Sequence, residues 1–458
     1  MLVSMVSLGC AKNMVDAEMA LAKLLGEGFD LAVDPSDADV VLVNSCGFIQ
    51  SARDEADDVV REMLALKKKS GNRIKVAIMG CLSERFPEEM SAKHPQLDAV
   101  WGLEIYDTLG SAVRNLVDSS VRGILGIGKP SRPYEGARLL STPQSYAYLK
   151  ISDGCDNHCA YCAIPGIRGG FRSREPHAIV DEAKTLEDQG VQEIIVISQD
   201  TTCYGRDLAG GATIESLMEA LLRAVSVPRL RLLYAHPAHI GCGLVDMLLA
   251  EQRLCRYLDI PFQHVSDNML TAMGRGYGKD RVYEILDRFK GKDFTVRTTL
   301  MTGFPGETEE DFRELLSLAE SGMIQQMGVF SWSPEIGTRA STFPGRLFDG
   351  IGESRREILL AAQQKSAFNW LDSRVRGTER LLVDQVAGDG WFEARSIHEA
   401  PDADGIIFVK GRGCKPGGFV NACIVGREGY DLLAETVQKD GGNAAGKKRR
   451  VQGKKRKS

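Results

Sequence analysis

The chain has 458 residues, 43% of them hydrophobic and 26% charged, which suits two to four ordinary globular domains. No apolar run reaches the roughly 18–20 residues that a membrane-spanning helix needs, so a membrane protein is not expected. The formal net charge of −5 hides an asymmetry, because eight of the 57 basic residues fall between Lys447 and Lys457 and leave the rest of the chain more acidic.

The first ten residues, MLVSMVSLGC, faintly resemble a lipoprotein cleavage box ending at Cys10. They lack a positive n-region and room for an h-region, so a cytoplasmic protein is expected. Eleven cysteines, an odd number, exclude complete internal pairing and in that compartment point to metal or redox chemistry. From here LVSMVS (2–7), DVVLVN (39–44) and KVAIMG (75–80) read as buried parallel strands with helices between them, a doubly wound α/β domain over residues 1–117. Each of these strands runs directly into a cysteine: Cys10, Cys46 and Cys81. A parallel sheet delivers the carboxyl ends of its strands to one crevice, so the three thiols converge as metal ligands or stand as buried core residues. Gly9, Gly47 and Gly80 flank them and suit close approach to a bulky inorganic centre. Gly and Pro clusters then mark a linker at 118–140.

A second series spans 141–373, with strand candidates at 145–152, 192–198, 229–235, 256–261, 293–301 and 327–333. Six βα units are too few for the common eight-stranded barrel, and an open, partial barrel fits the count. Directly after its first strand, SDGCDNHCAYCAIPGIRG sets Cys155, Cys159 and Cys162 in a C-x3-C-x2-C spacing. Three close thiolates suit a cubane iron–sulfur cluster with one iron left open for a cosubstrate. A structural zinc site would need a fourth ligand, for which only His158 is at hand. Gln199 and Asp200 end the second strand and are placed to contact the cosubstrate. Arg168 and Arg172 follow the cysteine loop and suit a carboxylate, while the TGFPGE loop with Gly303 and Gly306 suits close backbone approach. His236 and His264 follow the third and fourth strands at the same rim, as ligand contacts or as satisfied structural histidines. Cys203, Cys242, Cys255, Cys414 and Cys423 show no ligand spacing.

Beyond 374 the segments TERLLVDQV, WFEARSI, GIIFVKG and GFVNACIVG alternate between Gly and Pro breaks, as in a small all-β barrel reaching about residue 438. Residues 439–458 form a basic tail, read as solvated or as a contact to ribosomal RNA through counterion release.

The C-x3-C-x2-C spacing with an aromatic before its last cysteine resembles the radical S-adenosylmethionine superfamily. With three strand-end cysteines before it and a small barrel after it, the chain resembles the methylthiotransferase family from Met1 to about residue 437. SLGCAKNMVDAE, SQDTTCYGRDL, YLDIPFQHVSDNML and TTLMTGFPGETEEDF resemble the branch that modifies an aspartate of small-subunit ribosomal protein twelve. That resemblance implies a TRAM domain at the C-terminus and two [4Fe-4S] clusters, on Cys10/Cys46/Cys81 and on Cys155/Cys159/Cys162. It implies S-adenosylmethionine used twice, as methyl donor and as radical source, with Tyr161 near the adenine. It also implies a low-potential electron donor such as flavodoxin or ferredoxin, and a monomer is expected. The segment ARSIHEAPDADG carries Glu399, Asp402 and Asp404, which would repel RNA phosphates and suit a basic protein. Two other readings remain: a transfer-RNA adenosine methylthiotransferase, favoured by a basic barrel, and a non-catalytic iron–sulfur RNA-binding sensor.

Overall fold

Short runs of Val, Ile and Leu build a six-stranded, all-parallel sheet at the N-terminus of the computed structural model, which describes residues 1–118 and 123–437. Its strands are β1 (Leu2–Ser7), β2 (Asp30–Leu31), β3 (Val40–Ser45), β4 (Lys75–Gly80), β5 (Ala99–Trp101) and β6 (Gly123–Leu125), in the order β2-β1-β3-β4-β5-β6. Helices cover both faces, which is why β3 is buried along its whole length. β6 lies inside the stretch expected to be linker and pairs in parallel with β5, so the sheet ends later than residue 117. The basic tail at 439–458 lies outside the described residues.

Six parallel strands follow: β7 (Tyr146–Lys150), then, past the two-residue strands β8 (Ser152–Asp153) and β9 (Arg172–Ser173), β10 (Glu193–Ile197), β11 (Arg229–Leu232), β12 (Tyr257–Asp259), β13 (Thr295–Thr302) and β14 (Gln326–Ser331). They run as β7-β10-β11 and β12-β13-β14, joined by a bridge between Leu230 and Leu254 and by the Ala235 N–H on the Asp259 carbonyl at 2.9 Å. Among the described residues β7 and β14 do not pair, so the barrel is partial. The antiparallel pair β8–β9 closes the loop that carries the cysteine triplet.

Helix α1 (Ala11–Gly26) joins the two domains. One side of it, with Ala20 and Leu24, packs on its own sheet, and the other inserts Val15 and Met19 among Tyr146, Tyr148, Ile197 and Tyr257 of the barrel. The inserted side also carries buried charge: Asp16 pairs with Lys150, and Glu18 with Arg138.

Helix Ile351–Arg374 leads to a closed five-stranded barrel of β15 (Thr378–Gly388), β16 (Trp391–Arg395), β17 (Ile407–Lys410), β18 (Phe419–Glu428) and β19 (Asp431–Thr436). The sequence reading named four of these. β19 was the omission, although Leu432 and Ala434 alternate inward as a strand requires. The acidic segment before β17 is not a free surface. Glu399 is buried against Arg374 and Ser396, and Asp404 lies buried between Arg297 and the Tyr257 hydroxyl. Only Asp402 is exposed, and it accepts the Tyr148 hydroxyl at 2.9 Å. Asp402 and Asp404 seam the small barrel to the large one, and Glu399 ties it to the helix that precedes it.

Glu193 anchors the same seam, accepting Arg231 at 2.6 Å and Arg395 at 3.1 Å. Burial alone would raise its carboxyl, but Arg231, Arg395 and Arg229 outweigh that and hold it at about 2. At Glu399 burial is likewise outweighed, by Arg374, and the carboxyl is held at about 2. Both folded values lie below the ordinary 4.5, so this stabilisation is complete above about pH 5 and is lost as the pH falls from there toward 2. Melting temperature is therefore expected to drop between about pH 6 and pH 3. E193Q should be well below wild type at the higher pH, and the gap should narrow at the lower. An equal gap at both would mean that folding leaves the Glu193 carboxyl at its ordinary value.

Candidate iron–sulfur centres

The N-terminal cysteines meet at the carboxyl edge of the sheet. Cys10 caps the start of α1, Cys46 directly follows β3, and Cys81 opens the short helix after β4. Gly9, at φ 92°, lies against Cys46 so closely that a Cβ there would come within 2.5 Å of the Cys46 Cβ. Gly80, at φ 99°, would place a Cβ 2.6 Å from the Asn44 side chain. Glycine is required at both positions for the cysteines to converge. Burial pushes the Cys81 thiol up to about 12, against the pull of Arg168, and raises Cys46 as well.

The central triplet occupies the loop between β8 and β9. Burial lifts Cys155 to about 11 and Cys162 to about 12. Buried thiols of this kind ionise when a metal neutralises them, so each set suits three-thiolate ligation. His158, the fourth ligand a zinc site would need, is exposed.

Arg168 stands between the two sets and is 2% exposed. Its guanidinium donates to Asp16 at 2.6 Å, to Asp153 at 3.1 Å and to the Cys81 sulfur at 3.3 Å. Expected to hold a cosubstrate carboxylate, it instead has its donors committed to internal partners. Arg172 is tied to backbone carbonyls of Gly170 and Arg168. The central set has its own arginine, which the sequence reading missed: Arg275 lies 3.2 Å from both the Cys159 sulfur and the Tyr161 hydroxyl. Glycines on both sides of it, in MGRGY, were the available clue.

Tyr161 is half-buried beside Phe304 and Met273. Asp200 accepts hydrogen bonds from Asn157 of the cysteine loop at 2.7 Å, from His239 at 2.8 Å and from Thr202. Burial would raise its carboxyl, but these donors hold it well below the usual range. Asp200, His236 and His239 bring ligand-type atoms within 4.8 Å of one another. The Asp200 oxygen is already taken, also by the Cys203 thiol at 3.1 Å, so the group reads as a brace for the cysteine loop. Gln199 donates to Asp153 at 3.0 Å, and its Oε1 and the His236 Nε2 are buried without a partner among the described residues. Such orphaned atoms beside a thiol triad suit a polar cosubstrate. Gly303 donates to Glu307 at 2.7 Å and packs against Gly352, and His264 is satisfied internally.

Three sequence profiles match the chain: the Radical SAM superfamily over residues 149–319, uncharacterized protein family UPF0004 over 3–102, and the TRAM domain over 377–437. Ribosomal protein uS12 methylthiotransferase RimO of Clostridium tetani is 39% identical over 88% of this chain and 91% of its own. The protein of the same name from Pelotomaculum thermopropionicum is 38% identical over 95% of this chain and 99% of its own. The chain belongs to the RimO family. It is a radical S-adenosylmethionine methylthiotransferase. A structure of the radical S-adenosylmethionine methyltransferase TsrM from Kitasatospora setae, with cobalamin and a [4Fe-4S] cluster bound, shares the fold. The TM-score is 0.55 at 15% identity, over 74% of this chain and 77% of that one. In this RimO family member the two cysteine sets fall in different domains, and Arg168 bonds both Cys81 of the first and Asp153 beside the second.

Proposed function

We propose that this chain installs a methylthio group on the β-carbon of an aspartate in ribosomal protein uS12. Cys10, Cys46 and Cys81 would hold one [4Fe-4S] cluster and Cys155, Cys159 and Cys162 the other. The observation that carries the reading is two sets of three thiols meeting across one domain seam, in a chain similar to RimO relatives over nearly its whole length. When bound, the clusters and S-adenosylmethionine supply a deoxyadenosyl radical and a transferable methylthio sulfur. That suits a C–H bond with no acidity for a general base to exploit.

The chain's own residues position and shield. Arg275 fixes Tyr161 relative to Cys159, and Asp200 fixes the cysteine loop through Asn157. Gln199 Oε1 and the His236 ring offer open hydrogen-bonding positions to the cosubstrate. Tyr148, Leu233 and Tyr257 of the barrel interior exclude water. A low-potential donor such as flavodoxin or ferredoxin, a monomeric state, a cytoplasmic setting and ribosomal RNA contact by the tail belong to the same reading. No helix among the described residues is long and apolar enough to cross a membrane.

The test is anaerobic reconstitution with iron and sulfide, then incubation with S-adenosylmethionine, reductant and two substrates, a uS12 peptide bearing the aspartate and a transfer-RNA anticodon stem-loop. Mass spectrometry is expected to find a methylthio adduct on the peptide alone. An adduct on the RNA alone would overturn the substrate and favour the transfer-RNA reading.

A further inference from the structure

Lys12 follows Cys10 by two residues, and its ammonium lies 3.2 Å from the centre of the Tyr234 ring. Among the described residues it has no hydrogen bond and no ion pair. Tyr234 is held in a strained left-handed conformation at φ 64°. Its carbonyl accepts from Thr201, and its N–H donates to Asp259 at 3.2 Å. Non-glycine residues kept in this region cluster at functional sites. The ring lines a cavity of about 360 Å³, shared with Cys10, Met14, Tyr148, Tyr257 and Arg297, where all three domains meet.

The charged residues lining that cavity are engaged, and Lys12 stands at its edge, next to the lining residue Ala11. Arg297 pairs with Asp259 at 3.1 Å and Asp404 at 3.3 Å. Asp402 accepts the Tyr148 hydroxyl. Lys12 is thus a cation beside one thiol set, resting on an aromatic face without an anion. A cation–π contact of this kind is weaker than a desolvated carboxylate pair.

We propose that Lys12 receives the carboxylate of the target aspartate. The inference rests on the function proposed above. The β-carbon is bonded to the carboxylate carbon, so one ion pair places the reacting C–H beside the Cys10 edge. Tyr234 keeps the ammonium in place until the substrate arrives. The competing role is a clasp: Lys12 belongs to the N-terminal domain and Tyr234 to the barrel, so their contact would only hold the two together.

Full-length reconstituted enzyme, K12M and K12R are to be compared on the uS12 peptide and on the same peptide with asparagine at the target. Wild type is expected to prefer the aspartate peptide by at least about tenfold, and K12M to raise its KM by about 30-fold and lose the preference. A mere clasp would lower kcat on both peptides alike and leave their ratio intact, and that result overturns the proposal. Should K12M lose iron, K12R carries the comparison. Its guanidinium shifts the carboxylate, so kcat falls while the preference stays, and equal handling of both peptides by K12R overturns the assignment. Absence of any adduct with wild type would instead sink the uS12 reading, and the Lys12 inference with it.

Discussion

Arg168→Leu is expected to destabilise the protein by about 3–5 kcal/mol, the cost of stripping one partner from a buried ion pair. The magnitude follows from where the charge sits. Asp16 comes from α1, Lys150 from the end of β7, Asp153 from β8 and Arg168 from the helix after the cysteine loop, and all four are at most 3% exposed. Two anions and two cations make a neutral cluster. Leucine leaves Asp16 and Asp153 to share Lys150, an uncompensated charge where water does not reach. Burial would raise the Asp153 carboxyl, and it stays low because Lys150 and Arg168, with smaller help from Arg172 and the Gly154 N–H, outweigh that. The N–H on the Cys81 sulfur is lost in the same substitution. Calorimetry of the reconstituted enzyme checks this, with D16N added to R168L as the control. The double variant restores neutrality and is expected to recover part of the loss. A loss under about 1 kcal/mol for R168L alone would show a solvated seam rather than a buried one.

This network also marks where sequence reading stops. The strands of both α/β domains were legible because runs such as VVLVNS and EIIVI are apolar on both faces. The central cysteines were legible from local spacing, and Cys10, Cys46 and Cys81 from their shared position after strands. β6 was not, since Gly123–Leu125 has three residues and only Ile124 even half-buried, too little for any periodicity. Arg168 lies 152 residues from Asp16 and 87 from Cys81, so nothing local tells it from the half-buried Arg172. The reading of Glu399 and Asp404 as surface acids failed for the same reason, their partners Arg374 and Arg297 being supplied by another domain or helix. α1 concealed most. Its Asp16 and Glu18 look like the polar side of a surface helix, whereas that side is buried in the large barrel.

The two cysteine sets are expected to separate by function. Alanine at Cys155, Cys159 or Cys162 should abolish both deoxyadenosine formation and methylthio transfer, by on the order of 10³-fold or more. Alanine at Cys10, Cys46 or Cys81 should abolish transfer to the same extent while deoxyadenosine still forms. In either case bound iron should fall by about half, because each set holds its own cluster. The structural ground is that the sets share little. Cys159 is fixed by Arg275, and the loop around it by the Asn157–Asp200 bond, all within the large barrel. Cys46 and Cys81 are fixed by Gly9, Gly80 and the turns that end β3 and β4. Arg168 links them, touching Cys81 while standing on Asp153, two residues before Cys155, and Arg85, bonded to the Gly47 carbonyl beside Cys46, faces Cys162. Iron analysis with chromatographic assay of deoxyadenosine on the six alanine variants decides the matter. If every variant lost all iron and all deoxyadenosine, the six thiols would constitute one interdependent centre. Arg168 would then be a structural member of that centre rather than a contact between two.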